Sequence, residues 1–166
     1  MKAYQIADLK NFMNKLLLTD SFDQFLLEEG TIITYNTFLI DGRIRKDFYT
    51  KEEQENFPSC SYEFSMWKEM RSLCFNLIKG KRTPLGFKFV LHLLPDQKAD
   101  ILSSYPSIDQ NIIKSFTLTI RYDAGQATLI TGISTNTFLP DKTPEQLWDS
   151  FFLQFMQKQQ IDWNEI

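Results

Sequence analysis

The chain has 166 residues, enough for one domain and for a core that buries roughly 70% of the unfolded chain's surface. With 43% apolar residues, 23% charged residues, 15 Phe, 6 Gly and 6 Pro, the composition excludes a disordered, fibrous or low-complexity chain. Net charge is −3, but residues 42–82 hold nine Lys and Arg against six acids while both flanks are acidic, so only the middle third is basic.

Polar residues interrupt the apolar ones throughout "MKAYQIADLKNFMNKLLLTD", so no secretory leader is expected. No apolar run approaches the ~20 residues of a membrane helix, so no membrane contact is expected either. Cys60 and Cys74 form neither a zinc spacing nor a disulfide framework, which fits a reducing cytoplasm.

After a short apolar start at Tyr4–Ile6, Asp8 is placed to cap a helix with its apolar stripe at Leu9, Phe12, Met13, Leu16 and Leu17. "SFDQFLLEEGTIITYNTFLIDGRIRKDF" then turns β-branched and aromatic. Two turn signals, Glu29-Gly30 and Asp41-Gly42, predict three antiparallel strands over 22–28, 31–40 and 43–49. Residues 50–60 read as a polar connector.

"SYEFSMWKEMRSLCFNLIKGKRTP" predicts a second long helix, with Met66, Trp67, Met70, Leu73, Cys74, Leu77 and Ile78 inward. Lys79 suits the negative end of its dipole, Gly80 its C′ position, and Pro84 prevents its resumption. "FKFVLHLLP" alternates as a strand, and a short helix is expected around Asp96–Ser103. The second hairpin, 115–134, turns at Asp123-Ala124-Gly125. "TPEQ" announces a last helix, with Thr143 as cap, Pro144 in the first turn and Gln146 closing a capping box. Its broad apolar face comprises Leu147, Trp148, Phe151, Phe152, Phe155 and Met156.

The expected architecture is therefore a single α+β domain spanning 1–166. It has an antiparallel sheet of about five to six strands, with hairpins 22–40 and 115–134, packed by two long helices and a C-terminal helix. "NTFLID" at 36–41 and "NTFLPD" at 136–141 each follow a helix and a hairpin, a pattern open to internal duplication with pseudo-twofold symmetry.

Chemistry is harder to find. His92 is the sole histidine, so any histidine-dependent catalysis must pass through it, and a base also needs a positioned partner. Cys74 sits on an apolar stripe, whereas Cys60 near a loop is open to exposure. Glu28/Glu29 and Glu52/Glu53 are adjacent carboxylates, but neighbours in a strand point to opposite faces. "GKRTPLG" lacks P-loop spacing, and no metal-ligand cluster or cofactor is expected.

The basic residues are the better candidates: Arg43, Arg45 and Lys46 after the Asp-Gly step; Lys68, Arg71 and Lys79 on one helix face; Lys81 and Arg82 beyond it. Brought together, they would meet nucleic acid or an acidic protein. The bland alternative is a solvated face interleaved with Glu52, Glu53, Glu55, Glu63 and Glu69.

"FDQFLLEEGTIITYNTFLIDGRI", "WKEMRSLCFNLIKGKRTP" and "LTIRYDAGQATLITG" together resemble a family of uncharacterised bacterial proteins, a domain of unknown function. That resemblance implies no activity and no site residues. A looser, fold-level likeness is to a single domain of a DNA sliding clamp. There Lys10, Lys15, Lys68, Arg71 and Lys79 would form the face turned to DNA. The short helix at 96–103, the Phe-rich last helix and the acidic net charge depart from that pattern. The resulting expectation is a non-enzymatic cytoplasmic binding module with a basic helix face. The alternative is a small enzyme using His92 or scattered carboxylates. Self-association through the face 147–156 is a third expectation.

Overall fold

A computed structural model describes residues 1–166, and its element order follows from where apolar residues can be hidden. The chain runs β1 (Ala3–Ile6), α1 (Leu9–Leu17), β2 (Phe25–Ile33), β3 (Thr37–Asp41), α2 (Lys51–Asn56), β4 (Ser65–Met66) and α3 (Trp67–Ile78). It continues with β5 (Gly86–Leu93), α4 (Pro95–Ser103), β6 (Ile113–Asp123), β7 (Gln126–Thr135), α5 (Thr143–Lys158) and β8 (Trp163–Glu165). All strands join one antiparallel sheet in the order β3-β2-β5-β6-β7-β1-β8, with β4 pairing with β2. The α+β class holds, and the eight strands exceed the expected five to six because the short β1, β4 and β8 each pair into the sheet.

Alternation along the strands sends one set of side chains into a 30-residue core: Phe87, Phe89 and Leu91 of β5, Phe116, Leu118 and Ile120 of β6, Leu129 of β7. These meet Phe12 and Leu16 of α1, Trp67 and Cys74 of α3, and Trp148 and Phe152 of α5. The alternate residues, among them Lys88, Val90, Thr119 and Arg121, lie half-buried or exposed on the other face. A sheet covered on one side requires this division.

Aromatic rings fill most of the layer between sheet and helices. Trp148 stacks on Phe116 at 5.3 Å and 9°, with Phe25 and Phe152 around it, and donates its indole N–H to Thr117 O at 3.0 Å. Trp67 donates to Leu16 O at 3.1 Å, which pins α3 to the end of α1. Both rings thus hide their area without stranding a polar atom.

Several expectations change for local physical reasons. Glu29-Gly30 is no turn: β2 runs through it, because Gly30 lies opposite Phe89, where a Cβ would stand 3.1 Å from the ring. The chain reverses instead at residues 34–36, so the first "NTFL" opens β3, while the second lies in coil beyond β7. The two copies are not structurally equivalent. Asp41-Gly42 makes no hairpin either. Residues 43–49 contribute one bridge, Arg43 to Phe64, and a 3-10 turn at Lys46–Phe48.

Asp8 caps α1 as expected, accepting from Asn11 N at 3.0 Å. α5 departs from its predicted cap: Lys142 holds the N-cap position, and Thr143 N donates to Asp141 Oδ1 at 2.9 Å. Leu73 lies outside the α3 stripe, 46% exposed. The α5 face predicted as surplus is used at home, with Trp148, Phe152, Phe155 and Met156 buried and Phe151 packed against the same core.

Trp148→Ala removes the ring that joins α5 to β6 and should cost about 3–5 kcal/mol in urea unfolding. Alkaline pH gives a second check. Burial pushes the Cys74 thiol up to about 12, and burial, with Asp149 and Glu165 adding to it, pushes the Tyr4 hydroxyl up to about 12. The unfolded chain releases both protons first, so stability should fall as pH rises from about 9 towards 12. In C74A and Tyr4→Phe that fall should be shallower.

Candidate functional site

The eight basic candidates separate into unlike groups. Arg71 reaches inward, bonded to Thr19 O and paired with Asp23 at 3.2 Å, so it ties α3 to the chain entering β2. Arg43 pairs with Glu63 at 2.9 Å and lies over the Phe64 ring, while Arg45 is 3.9 Å from Asp41. Lys46 and Lys68 are exposed, Lys68 beside Glu69 on α3. Lys79, Lys81 and Arg82 are exposed in the loop between α3 and β5, and none of the three takes part in an ion pair. A continuous basic helix face does not form, because its central cation is consumed by packing. The 43–46 and 79–82 groups lie at opposite ends of β2, roughly 20 Å apart at about 3.3 Å per residue.

The loop group lines a groove of about 490 Å³ shared with the β2–β3 turn. Its walls include Lys79, Lys81, Arg82, Thr34, Tyr35 and Leu85; no carboxylate contributes. Local structure sets these positions. α3 stops at Ile78 because Lys79 turns extended, and Gly80 follows at φ +144°, a conformation that favours glycine. Leu85 N then donates to Ile33 O at 2.9 Å, which continues the β2–β5 ladder and seats the loop against the turn. Lys79 Nζ sits 5.8 Å from the centre of the Phe75 ring. Tyr35 is 86% exposed, and its ring meets Phe38 edge-on at 5.9 Å. Thr34 Oγ1 is buried without a hydrogen-bond partner.

A second constellation lies at the other end of β2, on the face away from the helices. The β2–β5 register shifts between Leu27 and Glu29, leaving Glu28 as the extra residue of a bulge. The bulge reverses the strand's phase: Leu27 faces the core opposite Leu91, yet Glu29 faces outward opposite Val90 and pairs with Lys88 at 3.3 Å. Glu28 is freed to hydrogen-bond His92 Nε2. So the adjacent carboxylates, expected on opposite faces, share one, because a bulge breaks the alternation. Gly42 holds this arrangement. Its N–H donates to Glu28 O at 2.8 Å, and a Cβ there would overlap the Leu27 carbonyl.

His92 is 8% exposed and lies under Phe64, ring centres 4.9 Å apart. Leu26 and Met66 complete that small outer cluster. His92 is therefore covered, by a segment whose contact with β5 no local pattern announces. Cys60 is buried in a 3-10 turn at Pro58–Ser61, not exposed in its loop, and Cys74 is buried in the core. No set of three or more His, Cys, Asp or Glu side chains converges as a metal cage. No helix is long and apolar enough to cross a membrane.

The chain belongs to a family of unknown function, DUF5721, whose model matches residues 15–164. No curated protein and no solved structure matches it.

Gly42→Ala should lower unfolding stability by about 3 kcal/mol, since the new methyl group forces the bulge apart. H92A should cost about 1–2 kcal/mol through the lost bond to Glu28. Urea denaturation of both variants measures these effects.

Proposed function

We propose that the protein is a non-enzymatic binding module, cytoplasmic and bacterial, that contacts an anionic partner through the groove between the α3–β5 loop and the β2–β3 turn. One observation carries the reading: Lys79, Lys81 and Arg82 share a concave surface with no carboxylate in its walls. Elsewhere, Glu63 answers Arg43, Asp41 answers Arg45 and Asp23 answers Arg71, while Lys46 and Lys68 are exposed and unpaired but line no groove with the other free cations. Unanswered charges in a concavity focus potential towards an incoming anion. The cytoplasmic assignment draws on the two free, buried cysteines, and the bacterial one on the family resemblance.

A small enzyme built on His92 and Glu28 is the second reading, favoured by their hydrogen bond. Against it stands the cover over His92: Phe64 packs on the ring and leaves its side chain 11% exposed, and a general base must reach its substrate. The pair is better used in holding the bulge.

On immobilised heparin at low salt the protein should be retained and then released as salt rises. Changing Lys79, Lys81 and Arg82 together to Ala should abolish most of that retention. The triple change of Arg43, Arg45 and Lys46 should leave it nearly intact. Equal loss in the two variants, or no retention of the wild type on heparin, poly-L-glutamate or oligonucleotide columns, refutes this reading.

A further inference from the structure

We propose that the anionic partner is a single-stranded nucleic acid, its phosphates held by Lys79, Lys81 and Arg82 and one base stacked on Tyr35. The inference rests on the groove assignment above and adds a chemical class to it. Tyr35 is the deciding residue. A large aromatic ring left 86% exposed contributes little to the fold, yet it lines the same concavity as the three cations. Phe38 meets that ring edge-on at 82°, which limits its orientations and leaves a broad face towards solvent.

A cationic track beside an aromatic platform suits an unpaired strand, because every base offers a π-face and every linkage a charge. In a duplex the bases are already stacked, so Tyr35 would find no partner there. An acidic peptide would use the cations alone and leave Tyr35 and Leu85, the latter 70% exposed, without a role. One further feature fits a nucleotide. Gly80 has no atom within 4 Å of where a Cβ would stand, so the backbone between Lys79 and Lys81 is open to a close-lying strand.

The test is fluorescence anisotropy with labelled oligo-dT and oligo-rU of 15 nucleotides, a duplex of equal length, and labelled poly-L-glutamate, each at several salt concentrations. The single strands should bind tightest, with log affinity falling against log salt at a slope of roughly −2, as three phosphate contacts require. Tyr35→Ala should weaken single-strand binding about 10-fold and leave the slope unchanged, whereas Tyr35→Phe should bind as the wild type does. Lys81→Ala with Arg82→Ala should flatten the slope to roughly −0.7. Y35A binding at wild-type strength, or poly-L-glutamate or duplex binding as tightly as the single strands, overturns the inference while the groove reading stands. If no polyanion binds, both fall. Thermal melts of each variant confirm folding, which substitutions at these exposed positions should leave intact.

Discussion

The fold depends on hiding one face of an antiparallel sheet and leaving most of the other in water. That constraint demands a strict two-residue rhythm from every long strand. It is visible in β5 and β6, where Phe87, Phe89, Leu91, Phe116, Leu118 and Ile120 all point the same way. Each buried side chain of this size contributes about 1.5–3 kcal/mol, so a strand out of phase would forfeit several such terms and bury polar groups as well. The helices follow from the same demand. α1, α3 and α5 bring their apolar stripes to one layer, and Trp67 and Trp148 enter it with their N–H groups satisfied by backbone carbonyls.

β2 obeys that constraint by violating its local form. It must place Phe25 and Leu27 in the core at one end and Ile32 there at the other, an odd separation that an unbroken strand cannot deliver. The extra residue at Glu28 corrects the phase. Without it Glu29 would enter the core beside Leu27, at the cost of burying a charge. Once the bulge exists, its surplus carboxylate comes within reach of His92 and hydrogen-bonds it. Gly42 then becomes necessary, because only a residue without a Cβ can lie against the bulged backbone. Three residues far apart in sequence are thus tied to one irregularity, which explains a histidine–glutamate pair without invoking catalysis.

Much of this was legible in the sequence wherever a periodic pattern was long. The stripe Leu9–Leu17, the strand "FKFVLHLL", the second hairpin and the Phe-rich last helix all appear where their patterns place them. What was hidden depends on partners distant along the chain. Gly30 carries the mark of a turn but serves to admit the Phe89 ring across the ladder. Asp41-Gly42 carries the mark of a hairpin but serves the bulge. No run of neighbouring letters distinguishes these uses, since each is decided by what lies on the adjacent strand. β4 and β8 were too short to show a period at all.

The same limit governs the basic residues, and it explains why composition marked one third of the chain as basic but did not outline a surface. Helical spacing puts Lys68, Arg71 and Lys79 near one face, yet spacing cannot report that Arg71 is drawn inward by Asp23 and Thr19. A cation held by a carboxylate adds little to the field felt by an approaching anion. Lys81 and Arg82 escape that fate because Gly80 ends the helical direction and Pro84 keeps the loop from resuming it, so both side chains leave the packed layer before any acid is within reach. The ladder bond from Leu85 to Ile33 then brings this short loop against the turn that carries Tyr35. Charge from one loop and an aromatic ring from another meet because the sheet needed β5 beside β2.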